Sequence, residues 1–216
     1  MKKIISFSLW GKDPKYTIGA IENAKLVNEV YQGWIGRFYC GRSVPENIIS
    51  TLKDIPNTEV IIMDEDGDWT GMFWRFLACE DSDVMISRDT DSRLNLREKL
   101  AVDEWLKSDK DFHIMRDHPY HAIEILGGMW GCRNGILNDI KEDITKYNKG
   151  NFWQVDQNFL KEKIYPKILK NSLTHDSFFK VEINTIPFPS ERINKEFVGD
   201  SFDENNVRHP EYYRFL

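Results

Sequence analysis

The sequence predicts an α/β domain built on a mostly parallel sheet. Short apolar runs of strand length recur along the chain, and longer amphipathic segments of helical period separate them. The first run, Lys3–Leu9 (KIISFSL), is dense in Ile and Phe. It is closed by Trp10-Gly11 and Asp13-Pro14, the pattern of a buried strand and a turn. In residues 17–31, Ala20, Ala24, Val27 and Tyr31 fall at i, i+4, i+7 and i+11, the stripe of a helix packed on a sheet. Ile35–Cys40 reads as the second strand, and 44–52 as a helix with Pro45 in its first turn.

Residues 59–63 (EVIIM) form the expected third strand and lead into the acidic loop 64–68 (DEDGD). A short helix over 71–79 precedes a fourth strand at 83–87 (DVMIS). Asn95, with Glu98 three residues on, predicts a capping box for the helix Leu96–Lys107. A fifth strand is expected at 112–115, a sixth at 128–132, and one long helix over 155–168 with Leu160, Ile164 and Ile168 on one face. No repeat or Pro/Gly-rich linker divides the chain. Residues 1–216 are therefore read as one domain, with the more polar 190–216 as a tail that wraps its surface.

Composition narrows the function. Among 216 residues, 41% are hydrophobic, which excludes disorder over most of the chain. A balance of 29 Lys+Arg against 35 Asp+Glu gives a net charge of −6, and argues against a general nucleic-acid binder. The three cysteines, Cys40, Cys79 and Cys132, are odd in number and far apart, so a reducing compartment is expected. With no bilayer-length apolar run and no signal-peptide pattern at the start, a cytoplasmic protein is the expectation.

In open α/β sheets ligands bind beyond the carboxyl ends of strands, so the residues after each strand carry the information. The fourth strand ends in Ser87-Arg88-Asp89-Thr90-Asp91-Ser92-Arg93. Side chains alternate along an extended segment, so Asp89 and Asp91 share a side and can share a cation. Carboxylates suit Mg²⁺ or Mn²⁺, which takes one or two protein carboxylates and completes its shell with phosphate oxygens. Arg88, Arg93 and Arg97 nearby match phosphate chemistry. A solvated acidic turn is the plainer reading of the same residues. The loop 64–68 also follows a strand, lacks flanking arginines, and reads as solvated. Zinc at His113, His118, His121 and Asp117 is disfavoured because Pro119 disrupts a helix here and no cysteine lies within easy sequence reach.

Residues 4–11 (IISFSLWG), 72–79 (MFWRFLAC), 87–93 (SRDTDSR), 97–106 (REKLAVDEWL), 113–119 (HIMRDHP) and 127–131 (GGMWG) occur in this order. Together they resemble the small GT-A fold glycosyltransferases of bacterial polysaccharide clusters and large algal viruses, over residues 4 to about 177. The resemblance implies a Rossmann-like GT-A domain that uses Mn²⁺ or Mg²⁺ and a nucleotide-sugar, most often UDP-linked. The implied acceptor is a hydroxyl on a glycan or glycoprotein. It assigns the metal to Asp89 and Asp91, with His175 similar to a histidine that completes the shell. It places Leu9, Trp10, Gly11 and Tyr16 around the nucleotide, and Arg75, Arg88 and Thr90 toward the diphosphate. Asp156 resembles the carboxylate that contacts the donor sugar or acts as base. A helix-start Asp can equally be there for capping.

Asp117, after the fifth strand, can face the acceptor as a binding group or an alternative base. Gly128 would let backbone approach the sugar closely. Trp130 either stacks on a pyranose or belongs to the core. Two rival functions are carried alongside. A phosphohydrolase would use the Asp-x-Asp as nucleophile and acid, though that motif usually ends the first strand. A non-catalytic module would bind the nucleotide-sugar without reaction.

Overall fold

The computed structural model describes residues 1–133 and 135–216. Eight strands form one sheet in the order β3-β2-β1-β4-β6-β5-β7-β8. β1 (Lys3–Leu9) lies between β2 (Ile35–Cys40) and β4 (Val84–Ser87), parallel to both, and β3 (Thr58–Ile62) extends the parallel run on β2. Registry is set by apolar pairs such as Phe7 opposite Phe38, whose rings stack at 4.7 Å.

The one departure from parallel order is β6 (Trp130–Arg133), which runs antiparallel between β4 and β5 (Phe112–Arg116). β5 therefore points the same way as β4, and β7 (Ser172–Asp176) and β8 (Thr185–Ile186) continue parallel to it. The carboxyl ends of seven strands thus share one edge, where α/β sheets place ligands.

Helices cover both faces. On one face lie α1 (Pro14–Val30), α2 (Glu46–Asp54) and α3 (Leu96–Lys107), packed on Ile5, Phe7 and Ile86. On the other are a 3-10 helix over Trp69–Glu80, α4 (Ile140–Tyr147), α5 (Val155–Phe159) and α6 (Tyr165–Ile168), packed on Ile4, Met85 and Trp130. The expected single helix over 155–168 is interrupted by a π turn at Leu160–Ile164. Pro166 has no N–H to donate and its ring would meet the preceding turn, so the helix widens there.

The capping box forms by half. Asn95 accepts from the Glu98 N–H at 2.9 Å, but the Glu98 carboxylate turns inward to Arg88 (3.0 Å) and Tyr31 (2.8 Å). Residues 190–216 do more than lie on the surface. Phe197, Val198 and Asp200 are buried, and a short α7 (Pro210–Tyr213) follows. Among the described residues no helix is long and apolar enough to cross a membrane.

Candidate functional site

A cleft of about 480 Å³ opens at the carboxyl ends of β1 and β4. Leu9, Trp10, Gly11 and Tyr16 form one wall, from the loop that leaves β1 and enters α1. Gly11 adopts φ +74°, a left-handed turn that suits glycine, and its N–H donates to Ser43 Oγ at 2.7 Å. The opposite wall carries Arg75, from the 3-10 helix, and Asp156, from the first turn of α5. Asp89, Thr90 and Asp91 line the cleft where the chain leaves β4.

The chain turns here rather than staying extended, with the Ser92 N–H donating to the Asp89 carbonyl at 3.3 Å, so Asp89, Thr90 and Asp91 all reach the cleft. Asp89 and Asp91 face the cleft, whereas Arg88 between strand and turn points to the opposite face of the sheet. Asp89 is paired with Arg75, and Asp91 with Lys15 at 2.8 Å. Ser201 Oγ donates to Asp91 Oδ2 at 3.2 Å, and the Phe202 N–H to the Asp91 carbonyl at 2.9 Å, so the C-terminal segment clasps this turn from outside. Gly128 also lines the cleft, and a Cβ there would collide with the Asp89 carboxylate.

Arg75 bridges the two sides. Its backbone N–H donates to Ser8 Oγ at 3.0 Å, locking the 3-10 helix onto β1, and its guanidinium reaches both Asp89 and Asp156, the latter at 2.8 Å. Burial works against the Arg75 charge, but the two carboxylates hold its pKa above the ordinary arginine value. Asp156 is 1% exposed; burial, opposed by Arg75 and reinforced by Asp89, pushes its carboxyl above the usual range. Asp156 Oδ1 has no hydrogen-bond partner among the described residues. A Cβ on Gly127 would meet both Arg75 and Asp156, so the Gly127-Gly128 pair makes room for the whole Asp89–Arg75–Asp156 set.

Four expected site residues lie elsewhere, each for an identifiable reason. Arg88 is 1% exposed and held by Glu98 under Tyr31, so it braces α1 and α3 against the sheet. Trp130 sits in the middle of the sheet, fully buried, with its ring edge-on to Phe76 at 5.4 Å. Asp117 is also fully buried and saturated: Arg97 grips it at 2.7 and 2.9 Å, Ser177 Oγ at 2.6 Å and the Val198 N–H at 3.0 Å, with Arg192 added. It anchors the C-terminal segment and has no oxygen left for an acceptor. His175, on β7, is buried between His113 (2.8 Å) and Glu104 (3.1 Å). β7 is three strands from β4, about 14 Å across the sheet, too far to complete a shell around Asp89 and Asp91. Arg93 and Arg97 are likewise turned away from the cleft, Arg93 bonding Asn206 and Arg97 bonding Asp117.

The fold also brings in residues that sequence reasoning did not place at the site. His121, weighed in the sequence only for zinc, lines the cleft; burial, with His118 adding to it, pushes its pKa to about 3, so the ring is neutral at ordinary pH. Trp69 and Trp153 stand at the mouth, 45% and 64% exposed. Their signal was position alone, Trp69 directly after the acidic loop and Trp153 three residues before Asp156.

Among the described residues no three carboxylate, thiolate or imidazole groups converge as a protein-only metal centre. Asp89 and Asp91, two carboxylates that both line the cleft, nevertheless fit a Mg²⁺- or Mn²⁺-type ion that takes its other ligands from a diphosphate.

No family model and no curated protein matches the sequence. Solved structures do match the fold. A glycosyltransferase involved in the glycosylation of the major capsid of PBCV-1 superposes with a TM-score of 0.55 over 82% of each chain, at 16% identity. The fold is that of the GT-A glycosyltransferases. A mannosyltransferase from Pyrobaculum calidifontis, in complex with GDP-Man and Mn²⁺, matches 82% of this chain and 55% of its own, with TM-score 0.52 and 12% identity. Glucosyl-3-phosphoglycerate synthase from Mycobacterium tuberculosis, in complex with Mn²⁺, UDP-Glc and phosphoglyceric acid, matches 80% and 68%, with TM-score 0.51 and 11% identity. In this GT-A fold the cleft lies where the expected sheet edge puts it, and ten of the sixteen residues singled out from sequence for the donor, metal and acceptor line it.

Proposed function

We propose that the protein is a hexosyltransferase-type glycosyltransferase that moves a sugar from a nucleoside-diphosphate donor, UDP-linked by preference, to a hydroxyl acceptor on a glycan or glycoprotein. The observation that carries this is the Asp89–Arg75–Asp156 set lining one cleft with Asp91 at the carboxyl edge of a GT-A sheet. Donor and metal binding by neighbours of the same fold, which hold GDP-Man or UDP-Glc with Mn²⁺, support the reading. A place in polysaccharide biosynthesis and in the cytoplasm goes with it.

The wall formed by Leu9, Trp10, Gly11 and Tyr16 would receive the nucleoside. Asp89 and Asp91 would hold Mn²⁺ or Mg²⁺, which when bound supplies positive charge to the leaving diphosphate. Arg75 is a fixed cation beside the same position and needs no reorganisation as charge develops. Thr90 and Gly128 bring backbone close to the donor. Asp156 takes the proton of the attacking hydroxyl: the acceptor oxygen bonds the anomeric carbon as the bond from that carbon to the phosphate oxygen breaks, and its electron pair leaves with the diphosphate. An aspartyl phosphohydrolase needs a free nucleophilic carboxylate, and Asp89 is instead engaged by Arg75.

The test is calorimetry and thermal shift with UDP, with and without Mn²⁺, on the wild type and Asp91→Ala. Metal-dependent binding that the substitution abolishes is expected; at 100 times Kd the ligand adds about 2.7 kcal/mol of stability. Binding indifferent to metal and to Asp91 would overturn the assignment. Binding without donor turnover over long incubation would favour the non-catalytic module.

A further inference from the structure

Of seven tryptophans in the chain, Trp69 and Trp153 alone are exposed; Trp34, Trp105 and Trp130 are buried in the core, and Trp10 and Trp74 pack edge-on at 6.2 Å. Both exposed rings line the cleft, Trp153 three residues before Asp156 and Trp69 between Gly67 and Gly71, which pack close to Trp10. Water-exposed indole is costly, and apolar surface concentrated at the lip of a concave site is the mark of a ligand surface.

The two rings belong to different loops that are tied together. The Trp69 N–H donates to Asn151 Oδ1 at 3.1 Å, and Asn151 Nδ2 donates to Asp68 Oδ2 at 2.7 Å. Gln154 holds φ +70°, a left-handed conformation unusual for a residue with a side chain, so the chain turns sharply between Trp153 and the start of α5. That turn leaves Trp153 at the mouth while Asp156 stays in the buried floor. Gln154 and Gln157 add amide groups to the same wall.

Charge sets the class of ligand. Asp156, in the floor, is already neutralised by Arg75, which also serves Asp89, and at the rim Lys149 is paired with Glu162 at 2.6 Å while Asp68 is held by Asn151. With these cations committed to carboxylates, a phosphorylated or carboxylated acceptor finds little free positive charge beside the two rings. Flat indole surface flanked by amides suits a pyranose instead, which has an apolar C–H face and a rim of hydroxyls that both donate and accept.

We propose that Trp69 and Trp153 form the acceptor subsite and select a neutral pyranoside, stacked on indole with a hydroxyl directed at Asp156. This rests on the glycosyl-transfer reading, and its test can fail separately. Saturation-transfer NMR is recorded with methyl glucoside, galactoside and mannoside, with UDP and Mn²⁺ present, on the wild type, Trp153→Ala, Trp153→Phe and Trp69→Ala. Trp153 is mostly exposed, so its substitution leaves the fold intact, which the UDP thermal shift checks in each variant.

The expected result is transfer to pyranose C–H protons in the wild type, about tenfold weaker in both alanine variants and restored in Trp153→Phe, with UDP binding unchanged. No contact with any pyranoside, contact that survives Trp153→Ala, or stronger contact from 3-phosphoglycerate would each overturn the subsite. Loss of UDP binding in the wild type counts against the donor reading, while the pyranoside contact still reports on the tryptophans.

Discussion

Arg75 and Asp156 are 81 positions apart in the chain and meet at 2.8 Å on the wall of the cleft, with Asp89 on the other prong of the guanidinium. A two-pronged bridge of this kind needs a planar donor, which lysine does not offer. Removing one partner of a buried pair leaves an uncompensated charge, typically at a cost of about 3–5 kcal/mol. Arg75→Met is expected to lower unfolding stability by roughly that amount in a urea melt. Arg75→Lys should fold better yet lose transfer about a hundredfold, since its single ammonium cannot serve both carboxylates.

Asp156 gives the reaction an acid limb. Burial raises its carboxyl above the ordinary value of about 3.9, so the folded protein holds the proton to higher pH than the unfolded chain does. The sign follows: this group favours the fold below about pH 3.9 and gives that contribution up as pH rises through its folded value. Transfer needs the carboxylate, so kcat/KM should rise through a pKa higher than a surface aspartate shows. Asp156→Asn should remove turnover and the limb together; a limb that persists in residual activity would assign it to another group.

Gly128→Ala puts a methyl group where the Asp89 carboxylate stands. The carboxylate must swing or the backbone must shift, and either displaces it from Asp91 and Arg75. Metal-dependent stabilisation by UDP is expected to fall at least tenfold, with the melting temperature of the free protein changed by only a few degrees.

Asp117→Asn separates an anchor from a base. Asp117 receives Arg97, Arg192, Ser177 and the Val198 N–H and does not line the cleft. Neutralising it strands two arginines, and a loss of about 3–5 kcal/mol is expected in denaturant melts. The fraction that stays folded should keep its pH profile; a lost acid limb would return Asp117 to the reacting groups.

The strands were legible because they are short, apolar and bounded by Gly, Pro and acidic turns, and Lys3–Leu9 and Ile35–Cys40 match their expected bounds, as does the helix Leu96–Lys107. α4 was missed although Ile140, Ile144 and Tyr147 carry helical spacing, and β7 because Ser172, Thr174 and Asp176 break its apolar pattern. Within the site, Asp89 and Asp91 both line the cleft as expected, but a turn at Thr90-Asp91 brings them there rather than strand alternation, and Thr90 lines it with them. Asp117 and His175 misled for another reason: a polar residue at a strand end looks the same in sequence whether it faces a ligand or closes a buried hydrogen-bond network. Only the partners, Arg97 and Val198 for one and His113 and Glu104 for the other, decide it.

The clasp on Asp91 comes from Ser201 and Phe202, some 110 positions downstream, and Asn206 secures Arg93 in the same way. During synthesis the acidic pair therefore emerges well before its outer support, which follows some 110 residues later. Competence to hold a donor depends on that downstream segment, and a ribosome-bound fragment ending before residue 197 would carry Asp89, Asp91 and Asp156 without the brace that steadies Asp91.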